Sequence, residues 1–246
     1  MDRVIYVAMA GASGALAHHA AAANNLANAA STGYRAAINA AQSVPVAGGA
    51  TRAYAVNATL GSDFSPGSIQ STERDLDVAL QGAGWLVVQT PDGREAYTRN
   101  GNLHLNENGL LETGNGYALV GETGPISIPP DQGITIARDG TVSTVPGQGE
   151  SPSAVNAVGR IKLVNPPQQT LVRGDDGLFR TRDGAPAQAD PKVVLVSGAL
   201  EGSNVNAVEA LMNIIELSRQ IELSFQLISK ADENAAQAER LLAPRA

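Results

Sequence analysis

Residues 204–242 read NVNAVEALMNIIELSRQIELSFQLISKADENAAQAERLL, with apolar residues at helical spacing and neither Gly nor Pro among them. This stretch is expected to form one long helix. Alternate steps of four and three from Ala207 reach Leu211, Ile214, Ser218, Ile221, Phe225, Ile228, Asp232, Ala235, Glu239 and Leu242. That is the seven-residue repeat of a coiled-coil seam, with polar lapses at 218, 232 and 239. Asn206 followed by Glu209 reads as a helix cap, and Pro244 stands just beyond the last apolar residue. At about 1.5 Å per residue such a helix would run roughly 60 Å, too long for one small core. Leu217, Leu223 and Leu227 fall off the seam, while Val208, Met212 and Ile215 broaden it. One partner helix cannot cover all of these. The helix either lies on its own domain or packs against several neighbours in an assembly.

The opposite end carries a matching pattern. From Ile5 the same steps reach Met9, Ala12, Leu16, His19, Ala23 and Leu26, a second seam rich in Ala. Gly11 and Gly14 each cost about 1 kcal/mol relative to Ala in a helix interior, so this helix needs partners, and the bulkier C-terminal seam can supply them. Val4 to Ala17 could also pass for a secretory signal ending at Ala15-Leu16-Ala17. Three features oppose that reading: Met1-Asp2-Arg3 has no net side-chain charge, Gly11, Ser13 and Gly14 dilute the apolar run, and the seam passes through the cleavage site. A retained helix is expected. The run is also shorter than the roughly 20 residues that span a membrane.

Composition narrows the classes of partner. The 246 residues include 17 basic and 24 acidic side chains for a net charge of −7, and no run of Lys or Arg offers a phosphate-binding face. Nucleic acid is not an expected partner. With no Cys, neither a disulfide framework nor a thiolate metal site can form.

Between the ends the texture is different. Residues 36–72, with Val44-Pro45-Val46, Gly48-Gly49, Pro66-Gly67 and a brief alternation from Arg52 to Leu60, read as an extended connector. From residue 73 short apolar runs are broken by Asp92-Gly93, Asn100-Gly101, Asn108-Gly109, Asn115-Gly116, Asp139-Gly140, Asp176-Gly177 and Asp183-Gly184, the dipeptides of tight hairpins. Gly84–Val88, Ile134–Ile136, Gly159–Val164 and Val193–Val196 supply strands. The expected class is α+β: N- and C-terminal helices forming a coiled coil, with a central antiparallel β-rich domain. The expected divisions are an N-terminal helix over 1–35, the connector, the β-rich domain over 73–200 and a C-terminal helix over 201–246.

Familiar chemistry is absent on inspection. Gly11-Ala12-Ser13-Gly14-Ala15 lacks the second glycine and the preceding strand of a nucleophile elbow. His18 and His19 are adjacent, so on a helix they diverge and cannot share a metal, and His104 has no ligand-spaced partner. Gly82-Ala83-Gly84 lacks the third glycine of a dinucleotide fingerprint, and Asn106–Gly109 lacks the carboxylates of a calcium loop. Glu216, Arg219 and Glu222 form a charge ladder that reads as a solvated helix face. No catalytic, cofactor or metal site is expected, and the chain does not read as an enzyme.

A family resemblance sharpens this picture. Asn25-Leu26-Ala27-Asn28-Ala29-Ala30-Ser31-Thr32-Gly33-Tyr34-Arg35 resembles the N-terminal signature of bacterial flagellar rod and hook proteins. Gly33 reads as the helix-terminating residue, and Tyr34 with Arg35 as an anchor and a charge at the exit. Asp75–Leu80 with Gly82, Gly84 and Trp85, then Tyr97–Gly101, Gly116-Tyr117 and Gly121, follow in the family's order. Gly198–Val205 resembles the entry to its last helix, while Ile221 replaces an aromatic that relatives carry. The opening Met1–Tyr6 and the Arg173–Arg180 stretch favour the proximal-rod members over the distal ones. The resemblance implies a structural subunit of the basal-body rod in the periplasmic space, exported uncleaved by the flagellar type III apparatus. It implies assembly with itself and with other proximal and distal rod subunits, without membrane insertion. The residues expected at the assembly contacts are Ile5, Met9, Leu16, Asn25, Leu26, Asn28, Gly33, Tyr34, Leu211, Ile214, Ile221, Phe225 and Ile228. The rival readings are a distal rod protein of the same family, a secreted β-domain binding protein with a cleaved signal, and a hydrolase with an unrecognised site.

Overall fold

The computed structural model describes residues 2–45, 53–129, 132–145 and 156–242, so Met1, Val46, Gly48-Gly49, Arg52 and Pro244 lie outside the described residues. In sequence order a helix comes first and last, α1 (Asp2–Ala27) and α2 (Ala207–Leu242), and strands lie between them, an α+β arrangement. The chain divides into two compact units. Met1–Asn28, Ala37–Ser62 and Val205–Ala246 form the helical unit; Ala29–Ala36 and Asp63–Asn204 form the β unit.

In the helical unit, Asn206 caps α2: its Oδ1 accepts the backbone N–H of Val208 at 3.1 Å and of Glu209 at 3.3 Å. Such a cap satisfies donors that the first turn leaves without partners. α1 and α2 contact each other. The shielded stripe of α2 runs through Ala210, Ile214, Leu217, Ile221, Ser224, Ile228, Ala231 and Ala235. That of α1 runs through Ile5, Ala8, Ala12, Ala15, His19, Ala22 and Leu26.

These stripes correct the seams predicted from spacing. Every second position is displaced by one residue, so that Ala210, Leu217 and Ser224 stand in for Leu211, Ser218 and Phe225, and Ala8, Ala15 and Ala22 for Met9, Leu16 and Ala23. Leu217, set aside above, belongs to the stripe. Small side chains permit a closer interaxial approach, and the shift leaves Ser218 and Asp232 exposed, with the Ser218 hydroxyl donating to the Ile214 carbonyl at 2.8 Å. The bulky residues turn outward: Met9, Leu16, Leu211 and Phe225 remain 53%, 50%, 49% and 56% exposed.

The stretch read as an extended connector contains a hairpin. Ala37–Pro45 pairs antiparallel with Ala53–Ser62, with a register shift between Ile38 and Asn39. Asn25 holds its first residue from α1: the Ala37 N–H donates to Asn25 Oδ1 at 2.9 Å, and Asn25 Nδ2 donates to the Ala37 carbonyl at 3.0 Å. α1 itself ends at Ala27, earlier than the expected stop near Gly33, with the Asn28 N–H still bonded to the Asn24 carbonyl.

The β unit is built on an antiparallel sheet of nine strands. Its main path runs Leu171–Arg173, Phe179–Thr181, Glu95–Thr98, Trp85–Gln89, Ala118–Gly121, Leu111–Thr113 and Leu103–Leu105. Trp85–Gln89 lies within this path and buries both faces, as its unbroken apolar run requires. Leu86 and Val88 join one core cluster with Val78, Leu103, Leu111, Leu119 and Leu195; Trp85 and Val87 join another with Tyr97, Leu171 and Phe179. The alternation is the period of two that a strand imposes.

Most of the Asx-Gly dipeptides are turns with the glycine at positive φ, among them Gly93 at 79°, Gly116 at 79° and Gly140 at 86°. Asn100-Gly101 works differently. A Cβ at Gly101 would overlap the Val78 carbonyl, and the Val78 N–H donates to the Gly101 carbonyl at 3.0 Å, so this glycine serves close backbone approach.

Candidate functional site

The segment after α1 inserts an arginine into the β unit. Arg35 and Glu201 are each 1% exposed, and Arg35 Nη2 donates to Glu201 Oε1 at 2.6 Å. On the other oxygen, Arg99 Nη1 donates to Oε2 at 2.8 Å, while the Gly67 N–H reaches Oε1 at 3.0 Å. Arg99 is held from its far side by the Gly82 carbonyl at 2.6 Å and lies over the Trp85 ring at 5.5 Å. Burial pulls the Arg99 guanidinium below its ordinary pKa, and the Glu201 carboxylate opposes that pull. Two guanidiniums share one carboxylate here, and among the described residues Arg35 Nε, Arg35 Nη1 and Arg99 Nε meet no hydrogen-bond acceptor.

The backbone around Arg35 is received group by group. The Gly33 N–H donates to the Glu201 carbonyl at 2.7 Å, and the Asp63 N–H to the Ala36 carbonyl at 2.8 Å. Asn204 Oδ1 accepts the Ala36 N–H at 2.8 Å, and Arg173 Nη1 donates to the Arg35 carbonyl at 3.2 Å. The Arg173 guanidinium also covers the Tyr34 ring at 4.4 Å, a cation–π contact. Gly33, at φ 68°, faces the Arg99-Asn100 peptide so closely that any Cβ would overlap it. Its positive φ therefore serves docking, several residues beyond the end of α1.

The residues singled out from sequence thus separate into groups. Gly33 and Tyr34 belong to this docked turn, Asn25 fixes the hairpin, and Asn28 Nδ2 donates to the Asn24 carbonyl at 2.9 Å. Ile5, Leu26, Ile214, Ile221 and Ile228 lie half-buried on the shielded stripes, whereas Met9, Leu16, Leu211 and Phe225 are exposed. Glu216, Arg219 and Glu222 are exposed as well. Sequence reading missed the Arg35–Glu201–Arg99 centre. Its members lie in separate motif stretches, and motif membership is the one cue the sequence offers.

Asn106–Gly109 is an Asx turn, with Asn106 Oδ1 accepting the N–H groups of Asn108 and Leu110, both at 2.9 Å. Among the described residues no group of His, Asp or Glu is arranged to hold a metal, and no helix is long and apolar enough to cross a membrane.

The chain thus combines terminal helices, a β unit between them in sequence and a buried ionic centre that holds the segment after α1. Comparison with known proteins gives the family. Residues 79–144 match the flagellar hook protein FlgE/F/G D1 domain, and residues 196–241 match the flagellar basal body rod FlgEFG protein C-terminal region. The chain is 46% identical to the flagellar basal-body rod protein FlgF of Salmonella typhimurium over 98% of its length and 99% of that protein's. It is 47% identical to FlgF of Escherichia coli over the same shares. Against FlgG of Buchnera aphidicola from Schizaphis graminum, identity is 35% over 69% of this chain and 66% of the relative. The chain belongs to the flagellar basal-body rod protein family.

Proposed function

We propose that the chain is a structural subunit of the proximal part of the flagellar basal-body rod, polymerising through its terminal helices into the axial shaft that transmits torque. End-to-end similarity to FlgF proteins is the observation that carries this reading, and the match to FlgG covers less of both chains. The role is mechanical, without catalysis.

The shielded stripes of α1 and α2 support a coiled coil between them, with Ile5, Leu26, Ile214, Ile221 and Ile228 at its seam. The outward Met9, Leu16, Leu211 and Phe225 then serve contacts with further copies and with other rod proteins, while Asn25, Asn28, Gly33 and Tyr34 set the exit of the chain from α1. A heterologous contact of this kind, repeated without closing, builds a helical array. The four-part division into residues 1–35, 36–72, 73–200 and 201–246 is part of the same reading.

Export proceeds through the flagellar type III apparatus with the N-terminus retained, and the subunit resides where the rod crosses the periplasm. The test is a knockout complemented by this chain, with basal bodies isolated and the subunit's intact mass measured. Rods that contain the full-length chain are expected. Rods that assemble normally without it would refute the structural role, and a mass lacking residues 1–17 would refute the retained helix.

A further inference from the structure

We infer that the β unit carries a peptide-recognition site for a Gly–aromatic–Arg segment, and that residues 33–36 of this chain occupy it as a ligand separable from the β core. Each specificity element is visible. The Arg99-Asn100 peptide leaves no room for a side chain at the first position, so only glycine fits there. The Arg173 guanidinium covers an aromatic ring at the second position. At the third, Glu201 takes a guanidinium through a 2.6 Å hydrogen bond in a pocket closed to water. Hydrogen bonds between the main chain of the segment and Glu201, Asn204, Arg173 and Asp63 fix its backbone.

The site is built to exist before its occupant arrives. Glu201 keeps a partner when Arg35 leaves, because Arg99 binds the other carboxylate oxygen and is itself fixed by the Gly82 carbonyl and the Trp85 ring. A carboxylate with no such partner would be too costly to bury empty. Neither core cluster of the β unit includes a side chain from residues 33–36. Departure of the segment therefore removes one ion pair, one ring contact, the main-chain hydrogen bonds to Glu201, Asn204, Arg173 and Asp63 and the burial of Tyr34, while no member of either core cluster leaves with it.

The experiment uses the full chain carrying Gly33→Val, with Arg35→Leu as a second variant, and a synthetic peptide of residues 29–37 as the probe. Amide exchange reads occupancy at residues 33 and 36 and core integrity at strand Trp85–Gln89. Trp85, the sole tryptophan, reports binding by fluorescence. Both variants are expected to lose protection at 33 and 36 by about 100-fold or more while strand 85–89 keeps its own. The peptide should then bind each variant saturably and leave the parent chain unchanged, and a peptide with leucine in place of Arg35 should not bind. Loss of strand protection in both variants would show the segment to be part of the core and overturn the inference. Failure of the peptide to bind either folded variant, or equal binding to the parent, would overturn it too. The rod assignment is untouched by these outcomes, since none of them reads assembly.

Discussion

Phe225→Ala is expected to act between subunits and hardly within one. A Phe side chain offers about 200 Å² to burial, and at 56% exposure roughly 110 Å² of it awaits a neighbour. At about 25 cal/mol per Å², covering that area is worth ~3 kcal/mol, roughly a 100-fold change in association constant for each subunit added. Leu217→Ala is the control, because Leu217 lies on the shielded stripe of the same helix. Two assays separate them: thermal melting of the purified full chain by circular dichroism, and isolation of basal bodies from cells making each variant. Phe225→Ala should melt like the parent and fail to give rods and motility, whereas Leu217→Ala should lower the melting of the helical unit. Normal rods with Phe225→Ala, or a loss of helical stability equal to that of Leu217→Ala, would refute the outward placement of this stripe.

Gly101→Ala is expected to destabilise the β unit by about 3 kcal/mol or more, because its Cβ would enter the Val78 carbonyl. Gly116→Ala, in open space at φ 79°, should cost only about 1–2 kcal/mol by urea unfolding. Asp232→Asn should leave rods and motility unchanged, since Asp232 is exposed on α2; loss of rods would reveal a cation on a neighbouring subunit. The Arg180 hydrogen bond holds the Asp176 carboxyl below its ordinary value of 3.8, so its contribution is complete above that value and lost as pH falls through the depressed one. Asp176→Asn should therefore be less stable than the parent at neutral pH, with the gap closing below about pH 4 in urea midpoints taken across pH.

The hairpins were legible because Asp-Gly and Asn-Gly need a backbone that glycine supplies cheaply, and the apolar run Gly84–Val88 announced a strand, which the structure then shows buried on both faces. The rotation of the helix seams was less legible. Ile214, Ile221 and Ile228 belong to either choice of stripe, and hydrophobicity alone prefers Leu211 and Phe225 over Ala210 and Ser224. Packing decided the other way, because a pair of helices gains from small residues at their closest approach, a property that apolar periodicity does not score. Of the ionic centre the sequence showed only that its members lie in motif stretches, not that they meet. Glu201 lies 166 residues from Arg35 and 102 from Arg99, and no local pattern distinguishes a buried Arg or Glu from a solvated one.

The choice of the narrow stripe bears directly on when the helices become stable. Ala210, Ala231 and Ala235 on α2, and Ala8, Ala12, Ala15 and Ala22 on α1, offer a pair of helices little apolar area, whereas the exposed residues of both helices include Tyr6, Val7, Met9, Leu16, Leu211, Met212, Ile215 and Phe225. Burial energy scales with area, so covering these outer residues would add to what Ile5, Leu26, Ile214, Leu217, Ile221 and Ile228 gain on the shielded stripes. Gly11 and Gly14 weaken α1 further. In the proposed assembly such a subunit would keep its ends marginal until neighbours cover them, whereas the β unit has an apolar core of its own. Reversing the seam, with Leu and Phe inward, would give a stronger pair in one chain and leave an Ala-rich surface with little to offer the next subunit.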